Sequence, residues 1–180
     1  MNVDIDICRL AIMDKYSTIK RNFGPVYDSN SRLLILGSFP SVKSREQAFF
    51  YAHPQNRFWR LMSLLLQQEI PDNIDEKRAI LLNNNIALWD TIEQCDIVGS
   101  SDSSIRNVVP VDIHRVLDSS NIQAIFCNGA TSHKLFMKYI YPICHIQAVL
   151  LPSTSPANAV WTLDRLYEAW STALMPYIKK

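Results

Sequence analysis

The segment Leu33-Leu34-Ile35-Leu36 carries no polar side chain, and it stops at Gly37. A run that short and that uniformly apolar reads as a strand buried on both faces, because a half-exposed strand would alternate. Three further runs resemble it: Ile86-Ala87-Leu88-Trp89, Ile122 to Cys127 and Ile146 to Leu151. Segments of helical period lie between them. Arg57 to Gln68 places Phe58, Leu61, Met62, Leu65 and Leu66 on one side, and helices are also expected over 75–84, 112–119 and 131–139. A last helix carries Trp161, Leu166, Trp170 and Leu174, with Asn158 as its expected N-cap. Strands separated by helices predict an α/β fold, a parallel sheet covered on both faces. Such sheets bind ligands beyond the carboxyl ends of their strands, where the strand order switches. Attention therefore falls on Gly37 to Ser41, Trp89-Asp90, Asn128-Gly129 and Leu151 to Asn158. The acidic stretch up to Ser104 reads as loop.

The 180 residues suit one domain over 23–180, preceded by an extension over 1–22 that includes a short helix. With 48% hydrophobic and 19% charged residues the chain belongs among folded globular proteins. It has no apolar run of the roughly 18 residues a membrane helix needs. Asp4, Asp6 and Arg9 interrupt any signal-peptide core. A cytoplasmic protein, nucleoid-associated if bacterial, is the expectation. Cys8, Cys95, Cys127 and Cys144 form no C-x-x-C pair, and the four histidines are scattered, so no metal site or cofactor is expected and the thiols read as reduced.

A net charge of +1 excludes a histone-like or tail-driven nucleic-acid binder. It leaves room for a local basic face over Lys43, Arg45, Arg57 and Arg60, although solvated helix faces would give the same pattern. The sequence contains no G-x-S-x-G elbow, Walker loop or G-x-G-x-x-G, and its four glycines are too few for a phosphate cradle of that kind.

The positive features are three. Gly37-Ser38-Phe39-Pro40-Ser41 combines a glycine for close passage, a turn-fixing proline and two hydroxyls. Tyr51-Ala52-His53-Pro54-Gln55-Asn56-Arg57-Phe58-Trp59 follows soon after, and Leu151-Pro152-Ser153-Thr154-Ser155-Pro156-Ala157-Asn158 lies near the end. Each is weak alone. In this order, on these strand ends, they resemble the uracil-DNA glycosylase superfamily. Together with Phe23 to Tyr27, Ala87 to Asp90, Ser100 to Asn107 and Cys127-Asn128-Gly129, the pattern is most similar to the hypoxanthine-DNA (deoxyinosine) glycosylase branch, over about residues 23–175.

That resemblance implies a three-layer α/β/α fold with a four-stranded parallel sheet, base flipping, and metal-independent hydrolysis of the N-glycosidic bond. Better-known branches hold the hydrolytic water with an Asp or Asn of the first loop, where this chain has Phe39. The uracil-specific enzymes carry a His in the last loop, where it has Leu151. The resemblance therefore moves the water-handling role to Asn56. It makes Gly37, Ser38, Phe39, Pro40, Tyr51 and Asn128 the base pocket, with Tyr51 stacked on the extruded base. It gives DNA contacts to Ser41, Lys43, Ser153, Ser155, Pro156, Ala157 and Asn158. DNA containing a damaged base is the implied partner, and the enzyme is expected to act as a monomer.

The chemistry is coherent. Glycosidic cleavage passes through an oxocarbenium-like sugar while the base leaves as an anion, so an amide that positions water suffices. Backbone N–H groups near Ser38 and Phe39 would relieve the leaving base. Other readings stay open. Asn56 can cap the helix beginning at Arg57; His53 suits a pocket wall; Trp59 and Trp89 suit the core; Asp102 and Arg106, at i,i+4, suit a local ion pair. A sister activity on uracil, xanthine or mismatched bases, or a catalytically silent DNA- or nucleotide-binding module, would use the same fold.

Overall fold

The computed structural model describes residues 16–178. In chain order it begins with β1 (Ser17–Lys20), β2 (Leu33–Gly37), α1 (Val42–Glu46), α2 (Phe58–Leu66) and α3 (Ile74–Leu82). Next come β3 (Ile86–Asp90), β4 (Ile92–Ile97), a 3-10 turn (Asp102–Ser104), β5 (Arg106–Pro110) and α4 (His114–Leu117). The last part comprises β6 (Ala124–Asn128), α5 (Ala130–Leu135), a π-helical stretch (Phe136–Ile140), α6 (Tyr141–Cys144), β7 (Ala148–Leu151) and α7 (Leu163–Leu174).

The four expected strands form one parallel sheet in the order β3-β2-β6-β7. Every residue of β2 and β3 is buried, as their unbroken apolarity requires. Helices cover the sheet. α2 and α7 pack together, with Phe58 edge-on to Trp170 at 6.0 Å between ring centroids. α5 lies against β6 and β7. The chain leaves β2 for β3 on one side, and β6 adds to β2 on the other. The strand order thus switches at the carboxyl end of β2, where Gly37 sits.

Four expectations change. The acidic stretch is not mostly loop: β4 and β5 join β1 in a second, antiparallel sheet of order β1-β4-β5. Ser17–Lys20 is therefore a strand, not part of a helix; the rest of the leading segment, and Cys8, lie outside the described residues. The final helix starts at Leu163 and is capped by Thr162, whose side chain accepts from the Arg165 N–H at 3.4 Å; Asn158 caps nothing. The expected helix over 131–139 extends to Cys144 through the π-helical stretch. Pro142 explains the widening, because it has no N–H to donate and its ring crowds the carbonyl four residues earlier.

Among the described residues no helix is long and apolar enough to cross a membrane. Cys95, Cys127 and Cys144 are unbridged.

Candidate active site

All four loops beyond the carboxyl ends of the parallel strands meet at one cavity of about 350 Å³. Its walls include Gly37, Ser38, Phe39, Pro40, Ser41, Lys43, Tyr51, Asn56, Asn128, Ser153, Ser155 and Pro156. Twelve of the fourteen residues marked in the sequence are thus brought together. Ala157 and Asn158 stand outside it.

The position of Gly37 is set by its carbonyl. That oxygen accepts from the Thr91 N–H at 2.9 Å, from Thr91 Oγ1 at 2.9 Å and from Ser132 Oγ at 3.0 Å. A Cβ on Gly37 would press into Asp90 Oδ1 and come within 3.2 Å of the Tyr51 hydroxyl, so only glycine fits. Ser38 Oγ donates to the two carboxylate oxygens of Asp102 at 2.9 and 3.0 Å. The Phe39 ring is 8% exposed and packs with Ile92, Cys95 and Ile97, beneath the guanidinium of Arg45 at 5.8 Å.

Asn56 sits just ahead of α2, and its Oδ1 accepts from the Phe58 N–H at 3.0 Å. The helix begins at Phe58, one residue later than expected, with Arg57 at its N-cap position; the Asn56 amide, one residue ahead, satisfies the first helical N–H while still bordering the cavity. Tyr51 has a left-handed φ of 51° and its ring is stacked on Phe58 at 4.1 Å. Burial, reinforced by nearby Asp90, raises the Tyr51 phenol above its ordinary range, and the Asn128 side chain opposes that rise. His53 lines the cavity, its Nδ1 accepting from the Gln55 N–H at 3.2 Å. Trp59 and Trp89 are buried in the core.

Asn128 ties β6 to the last loop. Its Nδ2 donates to Thr154 Oγ1 at 2.9 Å and its Oδ1 accepts from the Thr154 N–H at 3.0 Å. Gly129, at φ +100°, lets that loop approach, since a Cβ there would meet the Ser153 side chain at 2.9 Å. Arg57 grips the same loop from the other side. Its guanidinium donates to the carbonyls of Thr154 (3.2 Å), Asn158 (3.1 Å), Ser155 and Trp161. Within the loop, Ser153 Oγ accepts from Ser155 N–H at 3.2 Å, Ser155 Oγ from Ala157 N–H at 3.3 Å, and Asn158 Nδ2 donates to the Ser153 carbonyl at 3.0 Å. Pro156 and Ala157 form its exposed tip.

The basic stretch is not a free cationic face. Arg57 holds the loop, Arg45 donates to the Pro40 carbonyl at 2.7 Å and Lys43 pairs with Glu46 at 2.9 Å; Arg60 is exposed. Ser41 caps α1 by accepting from the Ser44 N–H at 3.2 Å.

Two carboxylates at the cavity were not among the expected site residues, although Trp89-Asp90 was marked as a strand end and Asp102 as a partner for Arg106. Asp102 does not pair with Arg106, which instead faces Asp96 at 3.8 Å across the β4–β5 ladder. Desolvation raises the Asp102 carboxyl and the Ser38 hydrogen bond opposes that rise. Asp90 ends β3 and is 4% exposed. Burial pushes its carboxyl up to about 6, against the attraction of Arg21 and with the help of Asp102. Arg21 Nη2 lies 3.5 Å from Asp90 Oδ2, in a box formed by the rings of Phe23, Phe50 and Trp89. A sequence signal for Asp90 existed: an acid closing a strand that is otherwise wholly apolar. Among the described residues no cluster of His, Cys, Asp and Glu could hold a metal ion.

Comparison with known proteins gives a concordant picture. The family model of the uracil DNA glycosylase superfamily matches residues 25–174. A hypoxanthine DNA glycosylase of Methanosarcina acetivorans is 41% identical over 148 residues, covering 82% of this chain and 93% of that protein. One from Methanosarcina barkeri is 31% identical over 115 residues, covering 63% of this chain and 73% of that protein. A solution NMR structure of a Methanosarcina acetivorans protein, described as a candidate uracil DNA glycosylase, superimposes with a TM-score of 0.75 at 28% identity, covering 89% of this chain and 99% of that one.

Proposed function

The chain belongs to the uracil DNA glycosylase superfamily, and from that premise we propose that it is a monofunctional DNA repair glycosylase that releases hypoxanthine from deoxyinosine and leaves an abasic site. It is an enzyme that hydrolyses N-glycosyl bonds of deaminated bases in DNA. The observation that carries the choice is the meeting of all four strand-end loops, with Tyr51 and Asn56, around one cavity large enough for a base.

The target sugar bond is inaccessible in the stack, so the base must be extruded into the cavity. Asn56 is the proposed catalytic residue. Its Oδ1 is fixed by the Phe58 N–H and keeps a second lone pair, enough to hold a water against C1′. The Gly37 carbonyl is turned inward by three donors, and in a trans peptide the following N–H points the opposite way. That supports Ser38 N–H as a donor to the leaving base. Gly37, Phe39 and Pro40 complete the pocket, with Asn128 holding the last loop at its edge. Tyr51 has one face on Phe58, which supports its presenting the other to the base. The exposed Pro156-Ala157 tip is read as entering the gap left in the duplex, with Ser41, Lys43, Ser153, Ser155 and Asn158 nearest the phosphates. The reaction as proposed uses no metal or cofactor, and the protein acts as a monomer in the cytoplasm.

The test incubates the protein, with EDTA, on oligonucleotides containing inosine, uracil or xanthine, followed by alkali. Strand breaks with inosine alone are expected. Breaks with uracil would move the assignment to a sister activity. DNA binding without product from any lesion would leave only a silent binding module.

A further inference from the structure

Asp90 is the one buried carboxylate that reaches the cavity without a hydrogen-bond donor from the protein on either oxygen, among the described residues. Its two oxygens face different ways. Oδ2 is turned back to Arg21, while Oδ1 stands over Gly37, in the space that a side chain on that residue would fill. The missing Cβ of Gly37 is what leaves this oxygen room at the cavity floor. Arg21 has no carboxylate closer than Asp90 and three of its guanidinium nitrogens are otherwise unmet, so the pair is fixed with its acceptor outward.

We propose that Asp90 sets the base specificity of the pocket by accepting a hydrogen bond from the ring N–H that deamination creates. This deepens the glycosylase reading and rests on it. Adenine presents an unprotonated N1, whereas its deamination product hypoxanthine carries N1–H beside a carbonyl. A carboxylate oxygen attracts the second and repels the lone pair of the first, and a site built for a particular N–H rejects an analogue lacking it because its own polar group is left unpaired. Guanine carries the same N–H, so Asp90 sorts hypoxanthine from adenine and leaves the refusal of a 2-amino group to the remaining walls.

The charge state has a direction. Arg21 approaches Asp90 from the end of β1, Tyr51 from the loop ahead of α2 and Asp102 from the 3-10 turn; Ser38 and Asn128, both neutral, line the same cavity. If Asp90 takes up a proton, the O–H cannot face the guanidinium, which accepts nothing. It faces the cavity instead and turns the acceptor into a donor.

The experiment compares cleavage of inosine with cleavage of 2′-deoxynebularine, a purine with neither the N1 proton nor the 6-oxo group, by the wild type and by Asp90→Asn. The variant amide directs its oxygen to Arg21 and its NH₂ to the cavity. Its kcat/KM on inosine should fall about 10- to 100-fold, the worth of one charge-assisted hydrogen bond, while nebularine changes less than about threefold. Equal losses on both substrates, or no loss on either, overturn the proposal. The wild type gives a test independent of the variant's folding: its preference for inosine over nebularine should shrink as pH falls through the Asp90 titration near 6. A preference unchanged by pH speaks against it. Should the folded wild type cleave no lesion, NMR titration with free hypoxanthine and free adenine separates the two readings. Preference for hypoxanthine, lost in Asp90→Asn, keeps the role of Asp90 and removes the glycosylase; equal binding of both bases removes the role as well.

Discussion

Asn56 Oδ1 accepts the Phe58 N–H at 3.0 Å while the same residue borders the cavity, so one amide satisfies the first N–H of α2 and lines the cavity. The helix-end bond and the proposed catalytic role therefore fall on one side chain, and substitutions can part them.

Asn56→Ala is expected to remove about 1 kcal/mol of stability through the lost cap, a Tm shift of roughly 2–4 °C for a chain of this size. Its single-turnover rate on inosine should fall about 100-fold or more. Asn56→Ser should recover most of the stability, since a serine also caps well, and little of the rate. A serine variant as active as wild type would reduce Asn56 to a cap.

Gly37→Ala is expected to fold less stably by about 1–3 kcal/mol, because the new methyl must displace Asp90 Oδ1 and crowd the Tyr51 hydroxyl. Thermal melts measure the cost. Inosine cleavage should drop with it, and a fully active Gly37→Ala protein would show that the floor yields.

Arg57→Lys keeps the charge but cannot serve four carbonyls with a single ammonium. The loop from Ser153 to Trp161 should loosen, raising KM for inosine-containing duplex more than it lowers kcat. Limited proteolysis within that loop should speed up. Unchanged KM and unchanged cleavage would mean that the grip of Arg57 is dispensable.

Asp90 also makes a prediction for stability. Its carboxyl is raised in the folded protein from an ordinary value near 4 to about 6. Between those values the folded state binds more protons than the unfolded one, so this group's contribution is full below the lower value and is lost as pH rises through about 6. The Tm of the wild type relative to Asp90→Asn should therefore decline across that window and level off above it. The opposite slope would show that Arg21 outweighs burial.

The strands of the parallel sheet were legible because each is apolar on both faces, and their order along the chain pointed at the correct loops. The second sheet was not legible. β4 includes Glu93, Gln94 and Asp96 and is half-exposed, and register shifts around Gln94 break the period of two that would have betrayed it. The same gap misled the reading of Asp102. With no β5 foreseen, spacing suggested Arg106 as its partner, whereas the ladder sets Arg106 opposite Asp96 and frees Asp102 for Ser38. Asn158 looked like a helix cap by residue type alone; Arg57, 101 positions away in sequence, holds that backbone short of helix until Thr162.

The cation beneath the pocket comes from Arg21, and residue 21 lies ahead of the stretch, 25–174, that the family model matches. A protein trimmed to begin at Phe23 would retain that whole stretch and lose the guanidinium that faces Asp90 in its burial. The stretch that the family model matches and the electrostatics of the pocket thus have different borders in this molecule, and the wider one belongs to the electrostatics.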